Sequence, residues 1–273
     1  MPDLLIPLVT VITPCYNGEL FIRACVESVR QQNYNLEHIV VDDASTDNSW
    51  PLLLELSKQY PWLRPVKLSL NRGPVIARNE AIKLAQGKYL AFLDIDDYWL
   101  PEKLTIQIAF MQHEKSYLCF SDYRQISQDG LKIGRRISGP AVIGSHLHHM
   151  TRYIGCLTIV LDRVKCPNFC FPSIAPAVRA EDFLAWQDFM IFTGVEAIRC
   201  PHDLARYRLV NDSRSSRKFR SSKSLWLLYT KIEKLGLFTA LFYFVSYAIF
   251  SIWKLYWYRP LYPIKIVDTR LDR

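Results

Sequence analysis

The sequence predicts an α/β protein with a mostly parallel sheet sandwiched by helices, and three observations carry that prediction. Short apolar runs of strand length alternate with segments of helical length and period through the first hundred residues, a pattern that forces parallel strands with right-handed crossovers. Half of the 273 residues are hydrophobic, enough for one large core and too many for a disordered chain. Asn17, Asp43 and Asp94 to Asp97 each follow a predicted strand, and ligands of open α/β sheets sit beyond the carboxyl ends of the strands.

The elements follow in order. Val9 to Thr13 reads as the first strand; Leu4 to Thr13 is apolar enough for a signal core, but Asp3 is the only charge before it and no basic region precedes it. Glu19 to Gln32 reads as a helix with Leu20, Ala24 and Val26 to Val29 toward one side, and Glu37 to Val41 as the second strand. Asp47 to Tyr60 carries Trp50, Leu53, Leu54 and Leu56 at helical spacing, and Val66 to Leu70 is the third strand. Val75 to Gln86 is a helix that Gly87 closes as a C-cap, and Tyr89 to Leu93 is the fourth strand. A helix over Pro101 to Lys115, with the proline near its first turn, leads to a strand over Tyr117 to Tyr123 and a turn at Asp129-Gly130. Beyond it the pattern is mixed, with strands at Leu157 to Leu161 and Ala197 to Cys200 and a helix from Glu181 to Thr193.

Asp212 to Lys223 is the linker candidate, dividing a body over 1–211 from a tail over 212–273. The body holds 22 Lys+Arg against 22 Asp+Glu and the tail 12 against 4, so all of the +8 excess lies in the tail. A nucleic-acid binder spreads its basic residues over the folded domain; this asymmetry instead describes a neutral body with a basic, apolar extension. Leu235 to Trp253 is 19 residues without a charge, roughly 28 Å as a helix against a hydrocarbon core of ~30 Å, and aromatic residues Trp253, Tyr256, Trp257 and Tyr258 beside Lys254 and Arg259 suit a membrane interface. The segment could span a bilayer once, lie on its surface, or pack on the body. Positive charge on both sides keeps the body cytosolic, at the cytoplasmic face of the inner membrane.

Phe92-Leu93-Asp94-Ile95-Asp96-Asp97 places three carboxylates within four residues at a strand end. At ~5 Å and an effective dielectric of ~20, two carboxylates cost each other roughly 3 kcal/mol, which a cation relieves. Asp94 and Asp96 point the same way on an extended segment, and oxygen-only ligands suit Mg²⁺ or Mn²⁺ rather than zinc. The seven cysteines, an odd number without paired spacing, fit a reducing compartment and read as small apolar fillers. His146, His148 and His149 on one short helix would not face one ion, which argues against zinc.

Thr13-Pro14-Cys15-Tyr16-Asn17, Val41-Asp42-Asp43 through Asp47, Asn71-Arg72-Gly73 with Ala77-Arg78-Asn79, Gly87 through Asp97, and Glu181-Asp182 with Trp186 form an ordered series. Together they resemble the signature of the family 2 inverting glycosyltransferases of the Rossmann-like GT-A fold, over about residues 7–210. Ile95 stands where that family usually has a small residue. The resemblance implies that Asp43 accepts a hydrogen bond from the pyrimidine of a nucleotide sugar, with Pro14 and Tyr16 lining the base and Asn71 shaping the loop. Arg78 would approach the ribose or diphosphate, Asp94 would lie near the ribose, and Asp96 with Asp97 would hold the metal bridging the phosphates. Asp182 would be the general base of an inverting transfer. Each has a plainer alternative: turn and cap duty for Asp42, Ser45 and Asp47, a solvated helix charge for Arg78, and helix capping for Glu181 and Asp182, with Asp188 a second base candidate.

The resemblance implies metal-assisted transfer of a single sugar from a nucleotide diphosphate sugar, expected to be a UDP-sugar, to a saccharide or polyprenyl-linked acceptor in surface polysaccharide or lipopolysaccharide synthesis; the Gln-x-x-Arg-Trp element of processive members is absent. Two rivals stand beside it. A nucleotidyltransferase shares the body and a carboxylate-held metal, but no Gly-rich, Lys/Arg-bearing loop follows the first strand. A non-catalytic protein that keeps the fold is the other.

Overall fold

The computed structural model describes residues 8–151, 153–173, 180–210, 225–258 and 262–263. Strands β1 (Val9–Cys15), β2 (Leu36–Asp42), β3 (Leu63–Lys67) and β4 (Tyr89–Phe92) pair in parallel in the order β3-β2-β1-β4, with β1 in the middle. The two-residue β5 (Tyr98–Trp99) follows, then β6 (Leu118–Ser127), β7 (Lys132–Ile137) and the short β8 (Val142–Ile143). The sheet continues from β4 through β9 (Ile159–Asp162) to β6 and β7 in antiparallel steps, and β10 (Ala197–Leu209) runs parallel to β6.

Alternation along the buried strands sorts the core into two layers. Val9, Val11, Val40 and Ala91 face one layer with α1 (Ile22–Arg30), α2 (Ser49–Gln59) and α4 (Lys103–His113); Ile12, Ile39, Val41, Leu90 and Phe92 face the other, with α3 (Pro74–Leu84) and α6 (Glu181–Thr193). The short α5 (Ser145–Thr151) lies between β8 and β9 in sequence. The expected four βα steps are present, and the strand ends converge on one cleft.

Four local expectations are corrected. Helix α1 begins at Ile22 and buries Ile22, Cys25, Val26 and Val29, a stripe at i, i+3, i+4 and i+7, while Leu20 is left 83% exposed ahead of it. Strand β3 lies three residues earlier than the apolar run suggests, because it is an edge strand carrying Arg64, Pro65 and Lys67, and Leu70 beyond it is 69% exposed. Gly87 does not cap α3, which ends at Leu84; a Cβ there would lie 2.4 Å from the Thr10 amide nitrogen, so the glycine permits close approach to β1. Strand β10 continues past Cys200, since register shifts around Asp203 absorb Pro201 and His202 without ending the pairing.

The linker candidate, Asp212 to Lys223, lies outside the described residues. The tail beyond it packs on the body: a π-helical turn over Leu228–Ile232 and helix α7 (Leu237–Tyr258) bury Leu228, Tyr229, Ala240 and Tyr243 against Ala180, Phe183 and Leu184. Tyr262–Pro263 (β11) pairs with β7. The opposite face of α7 exposes Phe238, Leu241, Phe242, Val245, Ile249, Ile252 and Trp253. Among the described residues no helix is long and apolar enough to cross a membrane, and one face of α7 is committed to the body. The side chains of residues 254–258, and Arg259, lie outside the described set.

Candidate active site

The β1 and β2 ends meet first. Asn17 sits in the left-handed region (φ 49°) and its Oδ1 accepts from the Thr46 amide at 2.9 Å, while its own amide donates to Ser45 Oγ at 2.9 Å. Asp47 accepts from the amides of Ser49 at 2.9 Å and Glu19 at 3.2 Å. These residues therefore build the turn and cap α2, the plainer of their two readings. Asp42 is fully buried and accepts from the Ser45 amide at 3.3 Å.

Asp43 does something different. Its Oδ1 accepts from the Arg72 amide at 2.8 Å and its Oδ2 from the Gly73 amide at 2.7 Å, so it ties the β2 end to the Asn71-Arg72-Gly73 loop. Gly73 is at φ 87° with open space around it, a conformation that glycine supplies without strain. Each carboxylate oxygen keeps a further lone pair for a ligand. Tyr16 is 49% exposed over this corner, Pro14 is buried within β1, and Asn71 is exposed.

Arg78 projects from α3 and is only 6% exposed. A guanidinium nitrogen donates to Asp94 Oδ1 at 2.5 Å, and the group lies 5.2 Å from the Phe171 ring centroid. Burial works against its charge, but Asp94 outweighs that and leaves its pKa raised. The solvated-helix-charge reading therefore fails. Asn79, its neighbour, holds Phe171 in place by donating to its carbonyl at 2.9 Å and accepting from its amide at 2.8 Å.

The Asp94–Asp97 turn divides the three carboxylates. Asp96 is partly buried, and burial followed by the charge of Asp94 pushes its pKa up to about 6. Asp97 is 2% exposed, pushed well up by burial and then by Asp96 and Asp94, and its Oδ1 accepts from the Arg208 amide at 2.7 Å. Arg208 closes the turn from β10: its Nε donates to the Asp96 carbonyl at 2.8 Å, and its guanidinium lies 5.4 Å from the Phe21 ring and 5.8 Å from that of Tyr98. A divalent cation fits this donor set, because it would relieve the repulsion that raises Asp96. Among the described residues no group of three or more His, Cys, Asp or Glu could hold a metal ion.

Glu181 and Asp182 occupy the first turn of α6, both partly buried, and Asp182 Oδ1 accepts from the Phe183 amide at 2.8 Å. Burial pushes the Cys156 thiol well up; Arg78 opposes, and the charges of Asp94, Asp182 and Glu181 add to the rise. Asp188 belongs elsewhere: burial and the charge of Glu233 in the tail raise its pKa. Two of the three histidines contact the tail, His146 at Tyr243 and His149 at Glu233, while His148 stacks on Phe183 of α6. Cys170 is exposed, which removes it from the filler reading, while Cys15, Cys25, Cys119, Cys156 and Cys200 are buried. Sequence reasoning missed Phe171 and Arg208; neither lies in a local pattern that marks it.

Such a cleft, with an arginine-tied carboxylate turn on one side and a helix-borne acid pair on the other, suits sugar transfer from a nucleotide, and known folds agree. TarS 1–349 of S. aureus, in complex with UDP-GlcNAc, aligns with a TM-score of 0.63 at 21% identity over 92% of this chain and 73% of that one. The mannosyltransferase PcManGT from Pyrobaculum calidifontis, in complex with GDP-Man and Mn²⁺, aligns with a TM-score of 0.63 at 19% identity over 94% of this chain and 77% of that one. The architecture is that of a GT-A glycosyltransferase. The sequence profile described as Glycosyl transferase family 2 matches residues 10–168, and the chain belongs to that family. TuaG of Bacillus subtilis (strain 168), a glycosyltransferase named for teichuronic acid biosynthesis, is 37% identical over 89% of this chain and 95% of its own length. WfgD of Escherichia coli, a UDP-Glc:α-D-GlcNAc-diphosphoundecaprenol β-1,3-glucosyltransferase, is 34% identical over 90% of this chain and 94% of its own. The protein is a glycosyltransferase, and both rival readings fall away.

Proposed function

We propose that this enzyme transfers one sugar from a UDP-sugar, with inversion, to a lipid-linked saccharide at the cytoplasmic membrane surface. The observation that carries the reading is the buried Arg78, whose guanidinium donates to Asp94 Oδ1 at 2.5 Å at the head of the acidic turn. The nucleotide would lie over the β1 and β2 ends, with Asp43 accepting from the pyrimidine, Tyr16 against its face and Asn71 at the loop. Arg78, already charged and fixed by Asp94, would neutralise the diphosphate. Asp96 would be the principal protein ligand of Mg²⁺ or Mn²⁺, which when bound stabilises charge on the departing diphosphate. Asp97, engaged with Arg208, would secure the turn beneath it. Asp182 would take the proton of the acceptor hydroxyl as that oxygen attacks the anomeric carbon from the face opposite the nucleotide. Glu181 would support it. The acceptor class follows the names of the relatives, and the exposed apolar stripe of α7 beside a basic tail suits an anionic lipid surface.

Calorimetric titration with UDP, GDP and dTDP, each with Mn²⁺ and with EDTA, tests the donor class. UDP alone should bind tightly, and only with the metal. Equal binding of all three nucleotides would sink the pyrimidine contact, and binding indifferent to EDTA would sink the metal.

A further inference from the structure

The tail is built into the side of the helix that carries the acid pair. Ala180, Phe183 and Leu184, which flank Glu181 and Asp182, share a buried cluster with Leu228, Tyr229 and Tyr243. Helix α5 forms the joint between them. His148 stacks face to face on Phe183, with centroids 4.4 Å apart at 9°, and its Nε2 lies 3.2 Å from the Phe183 carbonyl oxygen. His149 stacks on Tyr243 at 4.6 Å and 15°, and its Nε2 lies 3.0 Å from both carboxylate oxygens of Glu233. His146 Nδ1 lies 2.8 Å from the Tyr243 hydroxyl. Phe183 in turn donates its amide to Asp182 Oδ1 at 2.8 Å.

Apolar burial alone would dock a helix in many registers. The His149–Glu233 contact and the tyrosine hydroxyl select one, and the register they select is transmitted through packed rings to the residue next to Asp182. The outer face of the same helix, from Phe238 to Ile252, is the exposed apolar stripe. We propose that the C-terminal segment is a positioning device for the Asp182 carboxylate, so that seating α7 on a lipid surface and orienting the base are coupled. The proposal rests on the reading of Asp182 as the base. By linkage, a surface that holds α7 in its docked register must favour the active orientation, and the reverse.

The test uses the full chain in five variants: Tyr243→Ala, Tyr243→Phe, Glu233→Gln, the pair Phe238→Ser with Ile249→Ser, and Asp182→Asn. Three quantities are read: amide exchange over residues 181–186, UDP affinity, and turnover of a UDP-sugar with a short-chain alkyl diphosphate-linked GlcNAc. Tyr243→Ala should speed exchange at least tenfold and lower kcat about tenfold with UDP affinity within twofold of wild type; Tyr243→Phe, which keeps the stack but loses the hydroxyl contact to His146, should fall between Tyr243→Ala and wild type in both. The stripe pair should keep soluble turnover and exchange yet lose binding to phosphatidylglycerol vesicles, while those vesicles raise wild-type kcat and not that of Tyr243→Ala. Exchange and kcat unchanged in Tyr243→Ala would overturn the proposal, as would a loss shared equally by UDP affinity. Should Tyr243→Ala fail to fold, Glu233→Gln carries the same two readings. Asp182→Asn that still transfers would overturn the base reading instead, a result independent of the exchange data, and exchange decides the joint without any substrate.

Discussion

On the nucleotide side of the cleft, carboxylates are held by main-chain amides of distant segments: Asp43 takes those of Arg72 and Gly73, and Asp97 that of Arg208. On the other side, Asp182 takes one amide, from its own neighbour, and its helix start is seated by rings, His148 on Phe183 and Trp186 among Phe92, Phe169 and Phe171. Main-chain bonds fix positions whatever the side chains around them. Ring packing fixes positions only as well as the rings fit, so the placement of Asp182 depends on side-chain fit in a way that of Asp43 and Asp97 does not.

Breaking the second side should have the largest effect. Asp182→Asn should lower transfer about 10³-fold while leaving UDP affinity unchanged, measured by steady-state turnover beside calorimetry. Next is Asp43→Ala, which strips two amides of their acceptor at ~1–3 kcal/mol each; UDP affinity should fall at least tenfold and the melting temperature by several degrees. Affinity retained in that variant would show that the loop does not need the carboxylate.

The comparison sharpens with pH. The folded-state pKa of Asp96, about 6, lies above its ordinary value of 3.8, so the folded chain holds that proton more tightly than the unfolded one. Stability should therefore fall as pH rises from about 4 to 6, with Asp97, pushed further up, extending the window upward. Asp96→Asn should flatten that slope and raise the melting temperature at pH 7.5, and Mn²⁺ should stabilise wild type more at pH 7.5 than at pH 5 and the variant at neither. The smallest effect belongs to Tyr16→Ala: a ring 49% exposed should cost UDP affinity about fivefold, with no change in melting temperature.

What the sequence made legible is what local pattern encodes. The βα steps follow from periodicity, and the polar residues at the strand ends from short motifs; the contact of Arg78 with Asp94 does not, because it joins a helix to a turn 16 residues on. The Asp94 to Asp97 run showed its repulsion but not its division, because the partner of Asp97 lies on β10, far along the chain. Strand β3 was displaced since an edge strand carries little apolar signal, and β10 was cut short since a bulge resembles a break. The tail was visible as apolar, but its docked face was not, because the aromatic rings that receive it come from α5 and α6.

The 111 residues that separate Asp97 from Arg208 also set an order on synthesis. The first four strands and their helices can assemble once Phe92 has left the ribosome, since the strands pair only among themselves up to that point. The acidic turn cannot close until β10 has been made. A nascent chain therefore carries a finished nucleotide half and an open, self-repelling turn, and the enzyme becomes competent only when nearly all of its body has emerged.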